Sequence, residues 1–211
     1  MNYQIKKTTM DAVSNLMDFY LKTITGAVDD FWEEHIYNAQ FYLIEVKGNE
    51  AGFFSIYEES DAEYLTSLYL LPRYLDLGVE VMKEIIEKKQ IHKALVATCD
   101  ELFLSLCMDF QKNVGLQACF FDGTEEYPKR PAEFSEDCLE KITPEEFDRA
   151  KNMTGDFFSD FSREGIEAGD YELYFLKEHQ EILGVGIIVW NRLKKGYGAC
   201  GEIVLEQHRR K

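Results

Sequence analysis

Positive charge, paired cysteines and long apolar runs are what this sequence has little of. Its 211 residues carry 23 Lys and Arg against 39 Asp and Glu, which gives a formal net charge of −16. Because such a surface would repel the phosphates of DNA or RNA, this balance argues against a nucleic-acid-binding protein. An acidic surface keeps a protein soluble, and it also permits a cationic substrate.

The cysteines are odd in number and form no C-x-x-C pair; they are Cys99, Cys107, Cys119, Cys138 and Cys200. We therefore expect neither a disulfide framework nor a zinc site, and we predict no bound metal. No apolar run approaches the length of a membrane span, and the N-terminal MNYQIKKTTM lacks the apolar core of a signal peptide. The sequence thus predicts a cytoplasmic protein without a membrane partner.

Hydrophobic periodicity predicts a mixed α/β domain over residues 1–123. Segments with helical spacing alternate with short apolar segments typical of strands, in the order β-α-α-β-β-β-α-β-α-β. This order indicates a mixed central sheet with helices on its faces. The eighth and tenth elements of this order are the predicted strands Ile91–Ala97 and Leu116–Phe121.

Two local signals add detail to this prediction. Gly48-Asn49 lies between two apolar strands and predicts a tight turn, since both residue types accept a positive φ. Thr98, followed three residues later by Glu101, predicts a capping box at the start of the last helix.

The same order of elements begins again after a polar segment. Residues 124–132 carry prolines and charges and are predicted to be a linker, and residues 133–211 form a second, partial copy. Tyr42 and Tyr174 lie 132 positions apart, as do Gly52 and Gly184. These spacings, taken with the repeated order of elements, predict a tandem duplication.

The last ten residues, EIVLEQHRRK, join a short apolar strand to a basic cluster. The strand contains Ile203, Val204 and Leu205, and the cluster contains Arg209, Arg210 and Lys211. Strands that lead positive charge and unpaired amides to a helix N-terminus are typical anion sites, because the first-turn N–H groups lack partners. We therefore predict an anion site at this end of the strand.

The order of elements resembles the GNAT superfamily of acyl-CoA-dependent N-acetyltransferases. The motif of that family, between its fourth strand and third helix, is Arg or Gln, two residues, Gly, one residue, then Gly or Ala. Arg209 matches the arginine in the second copy, with Arg210 and Lys211 as the two intervening residues. The resemblance implies a GNAT-like fold with acetyl-CoA as co-substrate, held by the motif and by the fourth strand at Ile203–Leu205. It also implies that the second copy ends at the start of its cofactor loop, so that the chain is a fragment with little or no activity.

The first copy departs from the motif. In LLPRYLDLGVE, Leu75 takes the arginine place, Gly78 the first glycine and Glu80 the second. The resemblance assigns the remaining cofactor contacts of this copy to Leu70, Leu71 and Gly78. A carboxylate beside the diphosphate would weaken its binding, so we expect this copy to be degenerate. Phe110, which stands nearest the proton-donating tyrosine of many family members, agrees with this expectation.

The resemblance implies transfer of an acetyl group from acetyl-CoA to a primary amine of a small molecule or peptide. Glu202 shares the strand face of Val204 and is the candidate general base, with an exposed structural glutamate as the alternative reading. A non-catalytic GNAT-fold binding or regulatory module is the alternative function. The uncovered C-terminal strand further predicts either docking of the second copy on the first or a homodimer through its edge.

Overall fold

The computed structural model describes residues 3–60, 62–119, 135–158 and 161–209. The chain divides into two compact units, residues 1–121 and residues 122–211. The predicted linker, residues 124–132, lies outside the described residues, as do Arg210 and Lys211.

Unit 1 contains five strands and four helices in its described part. Its elements are β1 Tyr3–Thr8, α1 Ser14–Thr23, α2 Asp30–Tyr37, β2 Gln40–Val46, β3 Asn49–Glu59, β4 Ala62–Leu70, α3 Gly78–Lys88, β5 Lys93–Ala94 and α4 Glu101–Phe110. The strands pair in chain order, β1-β2-β3-β4-β5. The first four are antiparallel, and β5 is parallel to β4. The predicted mixed sheet is thus confirmed.

Helices cover both faces of this sheet. On one face, Leu77, Val81 and Ile85 of α3 and its lead-in pack with Phe103 and Leu106 of α4 against β2, β3 and β4. On the other face, Tyr20 of α1 lies between Phe53, at 5.6 Å between ring centroids, and Tyr69, at 6.0 Å. These side chains follow the helical and strand periods read from the sequence, which is why the order of elements was predictable.

Unit 2 repeats part of this arrangement. Its elements are β6 Leu139–Lys141, α5 Phe147–Thr154, α6 Arg163–Ala168, β7 Tyr171–Glu178, β8 Glu181–Trp190 and β9 Gly198–Val204. The four strands form an antiparallel sheet in the order β6-β7-β8-β9. A capping box precedes α5, and in it the Thr143 amide donates to a carboxylate oxygen of Glu146 at 3.2 Å.

Only one face of the second sheet is packed by the helices described in this unit. Phe147 and Ala150 of α5 and Ile166 of α6 join Phe175, Val185 and Ile187 in a single apolar cluster. On the opposite face, Cys200, Glu202 and Val204 of β9 are exposed, and Val204 keeps 40% of its surface accessible. This face is therefore open along the described part of the unit.

Two local predictions were wrong in detail. The first tight turn is formed by Lys47 (φ 52°) and Gly48 (φ 78°), while Asn49 already belongs to β3. The N-cap of α4 is Asp100, whose Oδ1 accepts from the Phe103 amide at 3.3 Å, so the predicted Thr98–Glu101 box does not form. Aspartate directly before a helix is as good a cap as threonine, and the chain uses the nearer one.

Two predicted strands are shorter than expected. Instead of Ile91–Ala97, only Lys93–Ala94 is a strand, because β4 turns away from it after Leu65. In the predicted strand Leu116–Phe121, residues 116–119 are irregular, and Leu116 is 80% exposed. Phe120 and Phe121 lie outside the described residues. Apolar runs form strands only where a neighbouring strand supplies hydrogen bonds, which the local sequence does not reveal.

Candidate functional site

The sheet of unit 1 opens where β4 and β5 part. The two strands pair at Tyr64–Lys93 and Leu65–Ala94, and the Leu95 amide donates to the Leu65 carbonyl at 3.0 Å. Residues 66–70 of β4 have no strand partner on that edge among the residues described in the unit. The result is a V-shaped opening beside the C-terminal half of β4.

A β-bulge marks the point of divergence. Ser55 pairs with Ser67 and Ile56 with Leu65, so Thr66 is the extra residue on β4. The bulge is held by buried hydroxyl groups, with Ser55 Oγ 2.8 Å from Thr66 Oγ1 and 2.6 Å from Ser67 Oγ. Because a bulge bends its strand and increases the local twist, it accounts for the separation of β4 from β5.

The loop after β4 is a 3-10 turn, Pro72–Leu77, that runs directly into α3. The Tyr74 amide donates to the Leu71 carbonyl at 2.8 Å, and the Gly78 amide donates to the Leu75 carbonyl. These two amides are therefore already paired. The exposed acidic residues in the loop and first helical turn are Asp76 and Glu80, and Arg73 lies over the Tyr74 ring at 4.9 Å.

Gly78 is required for helix packing. A Cβ added to Gly78 would lie 3.1 Å from both terminal methyl carbons of Leu106 in α4. Its backbone has an ordinary helical φ of −51°. The glycine that the family motif places near a diphosphate thus brings α3 close to α4 in this unit.

The end of β9 in unit 2 has the same main-chain geometry as the end of β4. The Leu205 amide donates to the Leu183 carbonyl at 2.9 Å, and the Leu71 amide donates to the Ala51 carbonyl at 2.8 Å. Leu205 has φ −60° and ψ 143°, against −58° and 145° for Leu71. A 3-10 turn follows in each case, Glu206–His208 in unit 2. The chain therefore leaves β4 and β9 with the same backbone conformation and the same hydrogen bond to the neighbouring strand.

The predicted cofactor residues of unit 2 are divided between the two faces of β9. Ile203 packs on the apolar cluster below the sheet, Val204 faces the open side, and Leu205 is buried. Arg209 is exposed, and its Nε donates to the Val204 carbonyl at 3.0 Å. It is the one member of the predicted basic cluster within the described residues.

Glu202 lines a cavity of about 430 Å³ on the open face of the second sheet. The side chains of Tyr174, Ile188 and Cys200 line the same cavity, together with Gly186. A carboxylate beside an open apolar surface is able to accept a proton from a bound amine, which is the role predicted for Glu202.

Unit 1 also contains a buried acid, Asp100, that no sequence pattern marks. Tyr20 donates a hydrogen bond to Asp100 Oδ2 at 2.7 Å, and the two side chains are 0% and 3% exposed. Burial raises the pKa of the Asp100 carboxyl to about 6, and the bonds from Tyr20 and the Phe103 amide oppose this rise. Asp100 directly precedes an apolar helix, but its pairing with a residue 80 positions away carries no local signal.

Within the described ranges, no helix is long and apolar enough to cross a membrane. The same residues contain no group of three His, Cys, Asp or Glu side chains arranged to hold a metal ion.

Comparison with known proteins identifies the family. The family model described as "Acetyltransferase (GNAT) domain" matches residues 9–124, which is more than half of the chain. The chain belongs to the GNAT acetyltransferase family. No curated protein sequence matches it.

The GNAT fold extends over both units. A GNAT-family acetyltransferase from Colwellia psychrerythraea aligns with a TM-score of 0.69 at 17% identity, covering 98% of this chain and 80% of that one. At this identity the likeness shows the fold alone, and it confirms the predicted GNAT-like mixed α/β architecture.

Shorter GNAT structures align with part of the chain. A ribosomal-protein-alanine N-acetyltransferase from Brucella melitensis biovar Abortus has 16% identity and a TM-score of 0.43, covering 57% of this chain and 99% of its own. An acetyltransferase from Clostridium acetobutylicum, solved with acetyl-CoA, has 12% identity and a TM-score of 0.38, covering 57% and 96%. Both TM-scores are too low to support a conclusion about this chain.

Proposed function

We propose that this GNAT protein is a tandem duplication that transfers an acetyl group from acetyl-CoA to a primary amine of a small molecule or peptide. Residues 133–211 are the copy that contacts the cofactor, and residues 1–123 are a degenerate copy, joined by a linker at 124–132. The protein is proposed to act in the cytoplasm.

The hydrogen-bond registers of the two sheets support the duplication. A bulge interrupts the pairing of β2 with β3 at Ile44/Glu45, and an equivalent bulge interrupts β7 and β8 at Leu176/Lys177, 132 positions later. His179, with φ 56°, lies 132 positions after Lys47, with φ 52°, and both open a two-residue turn. Such coincidences of register favour a common origin over convergence on the same sheet.

One observation supports the proposal that the second copy, and not the first, binds the cofactor. The fourth strands end with the same backbone geometry. At the place that the family motif gives to arginine, unit 1 has Leu75, followed by Asp76 and Glu80, whereas unit 2 has Arg209. A diphosphate is attracted by a guanidinium and repelled by carboxylates at the same place. This contrast supports cofactor binding by unit 2.

Within unit 2, Glu202 is proposed as the general base. Ile203, Val204 and Leu205 supply the strand that contacts the cofactor, and Arg209, Arg210 and Lys211 supply positive charge. The outer edge of β9 has no partner among the described residues of its unit, and it is the edge through which we propose a homodimer.

Calorimetry with acetyl-CoA tests the assignment of the cofactor. The change Arg209→Ala should weaken binding about tenfold or more, since a charge-assisted bond to phosphate is lost. Arg73→Ala, which removes the arginine of the loop in unit 1, is the matched control and should leave affinity unchanged. Equal losses in both variants would argue against unit 2 as the cofactor half.

A non-catalytic binding module is the second candidate function. Two features of unit 1 favour it: Gly78 packs closely against α4, and Glu80 places a carboxylate in the first turn of α3, where the family motif has a glycine. A thiol-release assay with acetyl-CoA and a panel of primary amines separates the two functions. Acetyl-CoA binding without thiol release for any amine would support the binding module.

A further inference from the structure

Three residues lie side by side across the sheet of unit 1. Tyr42, Phe54 and Leu68 pair in register on β2, β3 and β4, and they face α3 and α4. The Tyr42 and Phe54 rings are stacked, with centroids 4.8 Å apart and planes 10° apart. Phe54 and Leu68 are both fully buried. We call these three residues the Tyr42 row.

The matching row in unit 2 is Tyr174, Gly186 and Glu202, which pair in register on β7, β8 and β9. We call it the Tyr174 row. Glycine replaces the stacked phenylalanine, and a carboxylate replaces the buried leucine. A Cβ added to Gly186 would meet only the Gly201 carbonyl, at 3.7 Å, so the space above it is open. The cavity of about 430 Å³ lies over this row.

The Tyr174 ring is held in place at one end of the row. Its hydroxyl donates to Glu172, and the Glu172 carboxylate pairs with Lys141 at 3.1 Å. The hydrogen bond from Tyr174, followed by that from Lys141, lowers the pKa of Glu172. The ring is therefore fixed before any ligand arrives. No aromatic side chain among the described residues stacks on the Tyr174 face that corresponds to the Phe54-facing side of Tyr42.

Glu202 lies at the other end of the row. Its side chain is exposed and makes no hydrogen bond or ion pair with another residue in the described part of the chain. Because neighbouring strands are roughly 4.8 Å apart, the backbones at Tyr174 and Glu202 are about 10 Å apart. That span accommodates one aromatic ring that carries a short chain ending in a charged group.

We propose that the Tyr174 row binds an aromatic amine. The ring stacks on Tyr174 above Gly186, in the place that Phe54 fills in unit 1, and the ammonium group pairs with Glu202. Ring stacking selects a flat apolar body, and the carboxylate selects a positive charge. Binding does not depend on acetyl transfer, whereas the identification of this amine as the acceptor rests on the proposed function.

Calorimetry with 2-phenylethylamine on the 211-residue chain tests the binding step. We expect saturable binding, at least fivefold weaker binding of 2-cyclohexylethylamine, which cannot stack, and none of 3-phenylpropionate, whose charge is reversed. Absence of saturable binding by 2-phenylethylamine, or equal binding of all three compounds, would overturn the proposal.

Variants locate the site. Gly186→Phe should fill the space above the row and abolish binding, and Gly186→Ala, a smaller change, should reduce it. Glu202→Gln should weaken the binding of 2-phenylethylamine about tenfold but leave the binding of neutral 2-phenylethanol unchanged. The matched control Glu206→Gln, which lies outside the cavity, should leave the binding of both compounds unchanged. Full affinity in Gly186→Ala and Glu202→Gln would overturn the site.

An acetylation assay separates this inference from the proposed function. Binding of 2-phenylethylamine without formation of its N-acetyl derivative in the presence of acetyl-CoA would overturn acetyl transfer to this amine and leave the binding site standing.

Discussion

The two sheets of this protein agree in their main-chain register and differ in the side chains that the register presents. Each sheet has the same bulge and the same exit from its fourth strand. However, β4 carries a second bulge at Thr66, while the pairing of β8 with β9 is regular throughout. Unit 1 is covered by helices on both faces, and unit 2 on one in its described part. Backbone hydrogen bonding therefore keeps the two sheets alike, while the side chains on their surfaces differ.

The largest expected effect concerns a glycine that both sheets share. A Cβ at Gly52 would lie 2.1 Å from the Tyr69 carbonyl, and one at Gly184 would lie 2.6 Å from the Ile203 carbonyl. Since both clashes involve backbone, the strands would have to separate. We expect Gly52→Ala to lower the free energy of unfolding of unit 1 by about 3 kcal/mol or more, and Gly184→Ala to cost unit 2 less.

The two tryptophans allow each unit to be followed separately in urea. Trp32 belongs to unit 1 and Trp190 to unit 2. Fluorescence of the Trp190→Phe protein therefore reports unit 1, and that of Trp32→Phe reports unit 2. If Gly52→Ala left the unit 1 transition in place, the close approach of β3 to β4 would not be a constraint on this sheet.

The next largest effect is a pH dependence of the free energy of unfolding, which we expect in unit 1 because that unit contains Asp100. Burial raises the pKa of the Asp100 carboxyl in the folded protein from its ordinary value of 3.8 to about 6, so folded unit 1 binds a proton that the unfolded chain releases. The stabilisation from protonated Asp100 is fully present below the pKa of this carboxyl in the unfolded chain. It is lost as the pH rises to the pKa in the folded protein, between about pH 4 and pH 6. The loss should reach about 3 kcal/mol.

Asp100→Asn is the control for this pH dependence. The Oδ1 of asparagine still accepts from the Phe103 amide, and its Nδ2 can donate to the Tyr20 hydroxyl in place of the second carboxylate oxygen, but the side chain does not titrate over this range. We expect the urea midpoint of unit 1, read from Trp32 fluorescence, to change less between pH 4 and pH 6 in this variant than in the unmodified protein. An unchanged slope would show that Asp100 is not the group responsible.

The smallest effect is expected at an ion pair whose positive and negative residues are exchanged between the two sheets. Lys6 pairs with Glu45 at 2.5 Å in unit 1, and at the matching positions Glu140 pairs with Lys177 in unit 2. Reversing one charge, as in Lys6→Glu, should cost under about 1 kcal/mol in urea unfolding, because exposed pairs contribute little. Adding Glu45→Lys should restore most of the loss. A loss that the second change does not restore would mean that packing, rather than charge, matters there.

The candidate site was predictable in part. The pattern of Ile203, Val204 and Leu205 before basic residues predicted a fourth strand, and the structure places them in and directly after β9. Their cofactor role, and that of Leu70, Leu71 and Gly78, remains a prediction. Helical periodicity indicated α1, α2, α3 and α4, because an amphipathic face repeats locally along the chain.

Periodicity and spacing are local properties of the chain, so they were enough to predict the order of elements and to reveal the resemblance to GNAT proteins, and they led to the proposal of an internal repeat. The place where β4 leaves β5 required the three-dimensional structure, since the bulge at Thr66 depends on its pairing with β3. The tertiary structure alone joined Tyr20 to Asp100 across 80 positions. It also placed Tyr174, Gly186 and Glu202 in one row, because strand register brings together residues that the sequence keeps apart.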